Sequence, residues 1–226
     1  MPHKTLLVVG SGPGISRAVT SVFAAKRYDN VVLLARRTDS LESEKAAVEQ
    51  AIGKQVNIKT YAVDITNVAA LATALDDADA AFGKPECIFF NAARVLPSAF
   101  FEHPVTEIEY DFKITVSALY VVAQRYVPHL VSLAKADPAS KPALLVTSSA
   151  LPLQPIPQLF ALSLTKAAQR NLVQSLNMTY GPEGVHIGVI NVAGVVSPSE
   201  SERNPANIAA KTWEWFEEGK EFELVI

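Results

Sequence analysis

Short apolar runs recur along this chain, and longer stretches with helical spacing separate them. The runs at 6–9, 31–35, 87–90 and 143–146 are almost wholly Val, Ile, Leu, Phe and Ala, and those at 56–63 and 185–192 mix such residues with polar ones. Bounded by Gly, Pro and polar residues, they predict strands, several of them buried on both faces. A final short run at 221–226 predicts one more. Between them, residues 14–27, 41–52, 68–82, 106–134, 159–180 and 205–218 read as helices, several closed by Gly53, Gly83 or Gly181-Pro182. Pro128 falls inside 106–134, where its missing N–H predicts a kink or a division. Strict strand–helix alternation predicts an α/β fold: one doubly wound domain over residues 1–226, with about seven parallel strands and helices on both faces.

With 226 residues, 49% of them hydrophobic, the chain can bury a sizeable core. The net charge of −3 and the lack of a basic block argue against nucleic acid or an anionic membrane as the main partner. No run approaches the ~20 apolar residues of a membrane span, and 6–9 is too short for a signal-peptide core. A soluble cytoplasmic protein is the expectation. The single Cys87 cannot form an intramolecular disulfide and reads as a small buried hydrophobe in a reducing compartment. His3, His103, His129 and His186 show no metal spacing, so no metal site is expected.

Candidate chemistry begins at residues 5–17, where the first apolar run breaks into Gly10, Gly12, Pro13 and Gly14, and a helical pattern starts near Gly14, so that these residues and Ile15 would face a cofactor. A helix start here would turn free N–H groups and its positive dipole end toward an anion. Glycine admits a pyrophosphate that a Cβ would block; the alternative is a tight strand-to-helix turn. No Gly-Lys-Ser/Thr follows, which argues against a triphosphate loop. The second strand ends at Ala35, with Arg36 and Arg37 next. An acidic residue there would hold the 2′-hydroxyl of NAD, and an arginine accommodates a 2′-phosphate, so the pair favours NADP(H) over NAD(H) or is simply solvated. The fifth strand delivers Thr147-Ser148-Ser149 to its C-terminal end, where ligands bind in such sheets.

With Gly10-x-x-x-Gly14-Ile15-Ser16, Val63-Asp64-Ile65, Asn91-Ala92-Ala93, Ser149 and Lys166 in this order, the chain resembles the short-chain dehydrogenase/reductase family over nearly its whole length. The resemblance implies that Asp64 and Ile65 meet the adenine and that Asn91, Ala92 and Ala93 line the cofactor site. Gly194 and Val196 would stand near the nicotinamide, and Lys166 would hold its ribose. The third family glycine is Ser16, whose hydroxyl can cap the helix or reach a phosphate. The family's catalytic serine and lysine fall on Ser149 and Lys166, but its tyrosine falls on Leu162 and its asparagine on Thr115.

What the resemblance implies is an atypical NADP(H)-dependent oxidoreductase that reduces a carbonyl, imine or activated double bond of a small molecule without the tyrosine acid. The alternative is a non-redox protein on the same scaffold: a regulatory or sensor subunit, or a cyclase or isomerase. Arg94, Gln154 and Leu162 are the candidate substrate contacts, with a surface salt bridge as the other reading of Arg94. His103, Tyr120 and Gln158 are weaker candidates. Helices 106–134 and 159–180 match the family's dimer-forming pair, which implies a homo-oligomer. The short link 195–204 predicts a small, mobile lid.

Overall fold

The computed structural model describes residues 4–219 and 221–226, so His3 lies outside the described residues. The strands are β1 (Thr5–Val9), β2 (Asn30–Ala35), β3 (Asn57–Ala62), β4 (Cys87–Phe90), β5 (Ala143–Ser149), β6 (His186–Val192) and β7 (Glu223–Val225). They form one 7-stranded sheet in the order β3-β2-β1-β4-β5-β6-β7, and each pairing is parallel. Within β1, Leu7 and Val9 enter one apolar core while Leu6 and Val8 enter the other. A strand covered on both faces needs no polar alternation, which is why these runs read as continuously hydrophobic.

One face carries α1 (Ile15–Lys26), α2 (Thr38–Ile52) and α7 (Pro205–Glu218), which contribute Phe23, Leu41, Val48 and Phe216 to the core. The other carries α3 (Val68–Phe82), α5 (Ala118–Ala136) and α6 (Phe160–Tyr180), with Leu75, Leu119, Val122 and Val173 inward. Side-chain caps fix two of the starts: Asn67 accepts from the Ala70 N–H at 3.1 Å, and Asn204 accepts from the Asn207 N–H at 2.8 Å. No helix among the described residues is long and apolar enough to cross a membrane.

The helix expected over 106–134 differs in its interruption. It comprises α4 (Val105–Phe112), a π-helical turn at Lys113–Ser117, and α5, which continues through Pro128. Pro128 is exposed, as is Gln124 one turn earlier, so water can serve the carbonyl that proline leaves without a donor. The irregularity lies instead at Thr115 and its neighbours, beside the sheet's C-terminal end.

Connections from β1 run outward to β2 and β3, whereas those from β4 run the other way. The order reverses between β1 and β4, and a crevice opens there beyond the strands' carboxyl ends.

Candidate active site

The glycine turn is the floor of that crevice. The Gly10 and Ser11 N–H groups donate to the Leu34 carbonyl at 3.0 and 2.9 Å, tying the turn to β2. Gly10 has φ +88, and a Cβ there would stand 2.5 Å from the Ala92 nitrogen, so its bare backbone serves the approach of the turn after β4. Gly12 is different: nothing lies within 4 Å of where its Cβ would be, and the space is open to a ligand. Gly14, at φ +91, precedes α1 with no side-chain cap. The Ser16 hydroxyl is buried and has no hydrogen-bond partner among the described residues, so it does not cap α1.

A cleft of about 230 Å³ brings together Gly10, Arg36, Asp64, Ile65, Asn91, Ala92, Ala93 and Arg94, with Ser11, Leu34, Ala35, Val63 and Ile114 completing its wall. Arg36 is exposed in it and forms no side-chain hydrogen bond or ion pair among the described residues. Arg37 is exposed at the start of α2 and does not line the cleft. One oxygen of Asp64, Oδ1, accepts from the Thr66 N–H at 2.9 Å and the Thr66 hydroxyl at 2.8 Å, which leaves Oδ2 available. Asn91 braces the crevice: its amide donates to the Gly10 carbonyl at 3.2 Å and accepts from the Thr147 hydroxyl at 2.8 Å.

Ser149 ends β5, its Oγ accepting from the Leu151 N–H at 3.3 Å. Lys166 is buried on α6 and donates to the Thr147 carbonyl at 2.8 Å and to Gln169 Oε1 at 2.9 Å. Burial lowers its ammonium to a pKa of about 8. Leu162 is buried one turn before Lys166 and presents no proton to exchange; Thr115 is also buried, in the π-helical turn. Gly194 (φ +151) lies exposed after β6, where a Cβ would meet Arg203 Nε at 2.8 Å, and Val196 packs on the α1-side core. None of these residues is in the lining of the cleft.

Arg94 lines the cleft, yet its guanidinium is engaged on the protein. Nε donates to Asp111 and Nη1 to Glu107, both at 2.6 Å, while Nη2 donates to the Glu107 carbonyl at 3.2 Å. Gln154 is exposed on the loop after β5. That loop and the one after β4 join where the Ser98 N–H donates to the Gln158 carbonyl at 2.9 Å, and Phe100 stacks on Phe160 at 4.4 Å. Val95, Leu96, Phe100, Phe101, Leu153 and Ile156 are exposed along them, forming an apolar rim. The link after β6 folds on itself, with Asn204 Nδ2 donating to the Glu200 and Ser201 carbonyls, both at 3.0 Å.

His103 packs edge-on against Phe160, and burial lowers the pKa of His129 and His186. Among the described residues no group of three His, Cys, Asp or Glu could hold a metal. Gln169 leaves only one signal in the sequence, an amide three residues after Lys166, and Asp111 and Glu107, the partners of Arg94, leave none.

A family model described as short chain dehydrogenase matches residues 4–208. An uncharacterized oxidoreductase of Listeria monocytogenes is 24% identical over 190 residues, covering 84% of this chain and 73% of that protein. An alcohol dehydrogenase from the archaeon Thermococcus sibiricus, complexed with 5-hydroxy-NADP, superposes with a TM-score of 0.82 at 19% identity, covering 99% and 95% of the two chains. A short chain oxidoreductase from Pseudomonas aeruginosa, described as containing an atypical catalytic center, does so with a TM-score of 0.82 at 17% identity, covering 99% and 95%. With the family match spanning most of its length and the fold matching as well, this chain belongs to the short-chain dehydrogenase family of oxidoreductases.

Proposed function

We propose that the chain is an NADP(H)-dependent oxidoreductase that reduces a carbonyl, an imine or an activated double bond of a small molecule without a tyrosine acid. The observation that carries this reading is Arg36: a guanidinium with no partner among the described residues, beside Ala35 in the cleft that Gly10, Asp64 and Asn91 share. An anion is its natural complement, and the end of β2 carries Ala35 rather than an acidic residue to hold a ribose 2′-hydroxyl. The Thermococcus sibiricus neighbour, in complex with 5-hydroxy-NADP, supports the cofactor class.

The residues fit such a cofactor. Gly12 leaves room beside the start of α1, whose N–H groups suit a pyrophosphate, and Asp64 keeps an oxygen free for the adenosine half. Gly194 and Val196 would stand at the nicotinamide half. Bound NADPH supplies the hydride. Lys166 keeps one N–H beyond the two it donates, enough to hold the ribose, and the Ser149 hydroxyl can donate to a developing oxyanion. No side chain at the Leu162 position delivers a proton, so water, a substrate group or an electrophile that needs only hydride completes the reaction. The apolar rim suits a neutral, hydrophobic substrate, and with Arg94 neutralised by two carboxylates the crevice offers little to an acidic one.

Replacing Arg36 with alanine is expected to weaken NADPH binding by about 10- to 100-fold while changing NADH binding little, since a charge-assisted hydrogen bond is worth ~1.5–3 kcal/mol. The activity itself is tested by following NADPH consumption over hydrophobic ketones, enones and cyclic imines. Turnover on any of them supports the reading; bound cofactor with no consumption across the panel contradicts it.

The buried Leu162 and Thr115 favour a second reading, a non-redox or regulatory protein that keeps the cofactor as a structural or sensing ligand. In either case we expect a single domain, a cytoplasmic location and a homo-oligomer. The groove between α5 and α6, lined by Val116, Tyr120, Val121 and Leu172, is the face for a second copy.

A further inference from the structure

A buried amide on α6 has no part in the chemistry described so far. Gln169 is 1% exposed, and both ends of its side chain are engaged. Oε1 accepts from Lys166 Nζ at 2.9 Å, and Nε2 donates to the Thr115 carbonyl at 2.9 Å. Thr115 lies in the π-helical turn, whose i→i+5 register breaks the regular carbonyl ladder, a feature frequent at functional sites. Lys166 is held from the other side by the Thr147 carbonyl, the Thr147 hydroxyl donates to Asn91, and Asn91 donates to Gly10. One line of hydrogen bonds therefore runs from the glycine turn through β4 and β5 to α6 and the π-helical turn. Gln169 is its last link.

Packing alone does not call for an amide here, because methionine fills nearly the same space. An ammonium has three donors, and two fixed acceptors determine where the third points. We propose, on the cofactor reading above, that Gln169 is a positioning residue: it anchors the Lys166 ammonium to the π-helical turn and so aims its remaining N–H at the cofactor.

The charged surroundings of Lys166 are simple. Burial is the cause of its lowered pKa, with no charged side chain contributing. β5 carries no ionisable residue, and the π-helical turn carries only the exposed Lys113. On α4, Glu107 and Asp111 are paired with Arg94, and on α6 itself Arg170 is closed on Glu223 of β7 at 2.6 and 2.9 Å.

The test uses the full chain with ε-¹³C-labelled lysine, the Lys166 signal being the one missing from Lys166→Met. Removing an acceptor from the ammonium disfavours its charged form, and a carboxylate beside it favours that form. The titration midpoint of Lys166 should thus fall in Gln169→Met and rise in Gln169→Glu; a midpoint unmoved in both overturns the proposal. NADPH titrations form the second arm. Gln169→Met should cost about tenfold in affinity in the wild-type background and less than twofold in Lys166→Met, as for two residues acting as one unit. An equal loss in both backgrounds marks Gln169 as core packing and overturns the proposal too. Wild-type protein that binds no NADPH contradicts the cofactor reading instead, and the two midpoints then decide the role of Gln169 alone.

Discussion

Replacing Leu162 with tyrosine is expected to raise the rate of NADPH consumption by about 10²- to 10⁴-fold on a substrate that the wild-type chain turns over slowly, the usual worth of a positioned proton donor. Leu162 stands one helical turn before Lys166 on α6, so the two side chains share a face. Ser149 ends β5, and its hydroxyl proton is not spent on the Leu151 contact, where Oγ is the acceptor. A phenol at 162 would join these two groups and supply the proton that the present site leaves to water or substrate. The larger ring carries an overpacking cost of about 1–3 kcal/mol, because Leu162 is buried. Leu162→Phe is therefore the control: it adds the ring without the hydroxyl and should show no gain. Equal rates for Leu162→Tyr and wild type, with NADPH bound to both, would favour the non-redox reading.

The second large effect concerns stability. Gly10→Ala is expected to cost about 3 kcal/mol or more, or roughly 6–12 °C in melting temperature for a chain of this size. Two penalties coincide there: a left-handed φ of +88, and a Cβ 2.5 Å from backbone nitrogen at Ala92, which cannot rotate away. Gly12→Ala provides the contrast. Its Cβ meets nothing within 4 Å, so melting should change little, while NADPH affinity falls about tenfold as the methyl enters the space left for phosphate. Thermal denaturation of both variants checks this pair. A Gly10→Ala protein that melts with the wild type would show that the turn after β4 can move aside.

The same two glycines show what a sequence can carry. Their spacing pointed to a strand-to-helix turn with room for an anion, and that turn is present. The division of labour between them was hidden, since it depends on Ala92, some eighty residues away, packing against one and not the other. The strands are legible because both faces of the sheet are covered, so β4 is apolar throughout and β1 and β2 are apolar after their first residues, Thr5 and Asn30. The π-helical turn was not: one extra residue per turn leaves no mark in an apolar pattern, and Pro128 drew attention to the wrong place. Arg94 and Gln169 illustrate long-range pairing. The salt-bridge reading of Arg94 names no partners until Asp111 and Glu107 are seen to close on it, and nothing in the sequence pairs Gln169 with Lys166 and the Thr115 carbonyl, which stand at its two ends.

The central claim, that the crevice between β1 and β4 holds NADP(H), is tested most directly by titrating the full chain with NADPH and NADH in parallel and following fluorescence. Saturable NADPH binding, with NADH at least about tenfold weaker, is the result expected from the Arg36 guanidinium in the cleft. Equal affinity for the two, a preference for NADH, or binding of neither would contradict it.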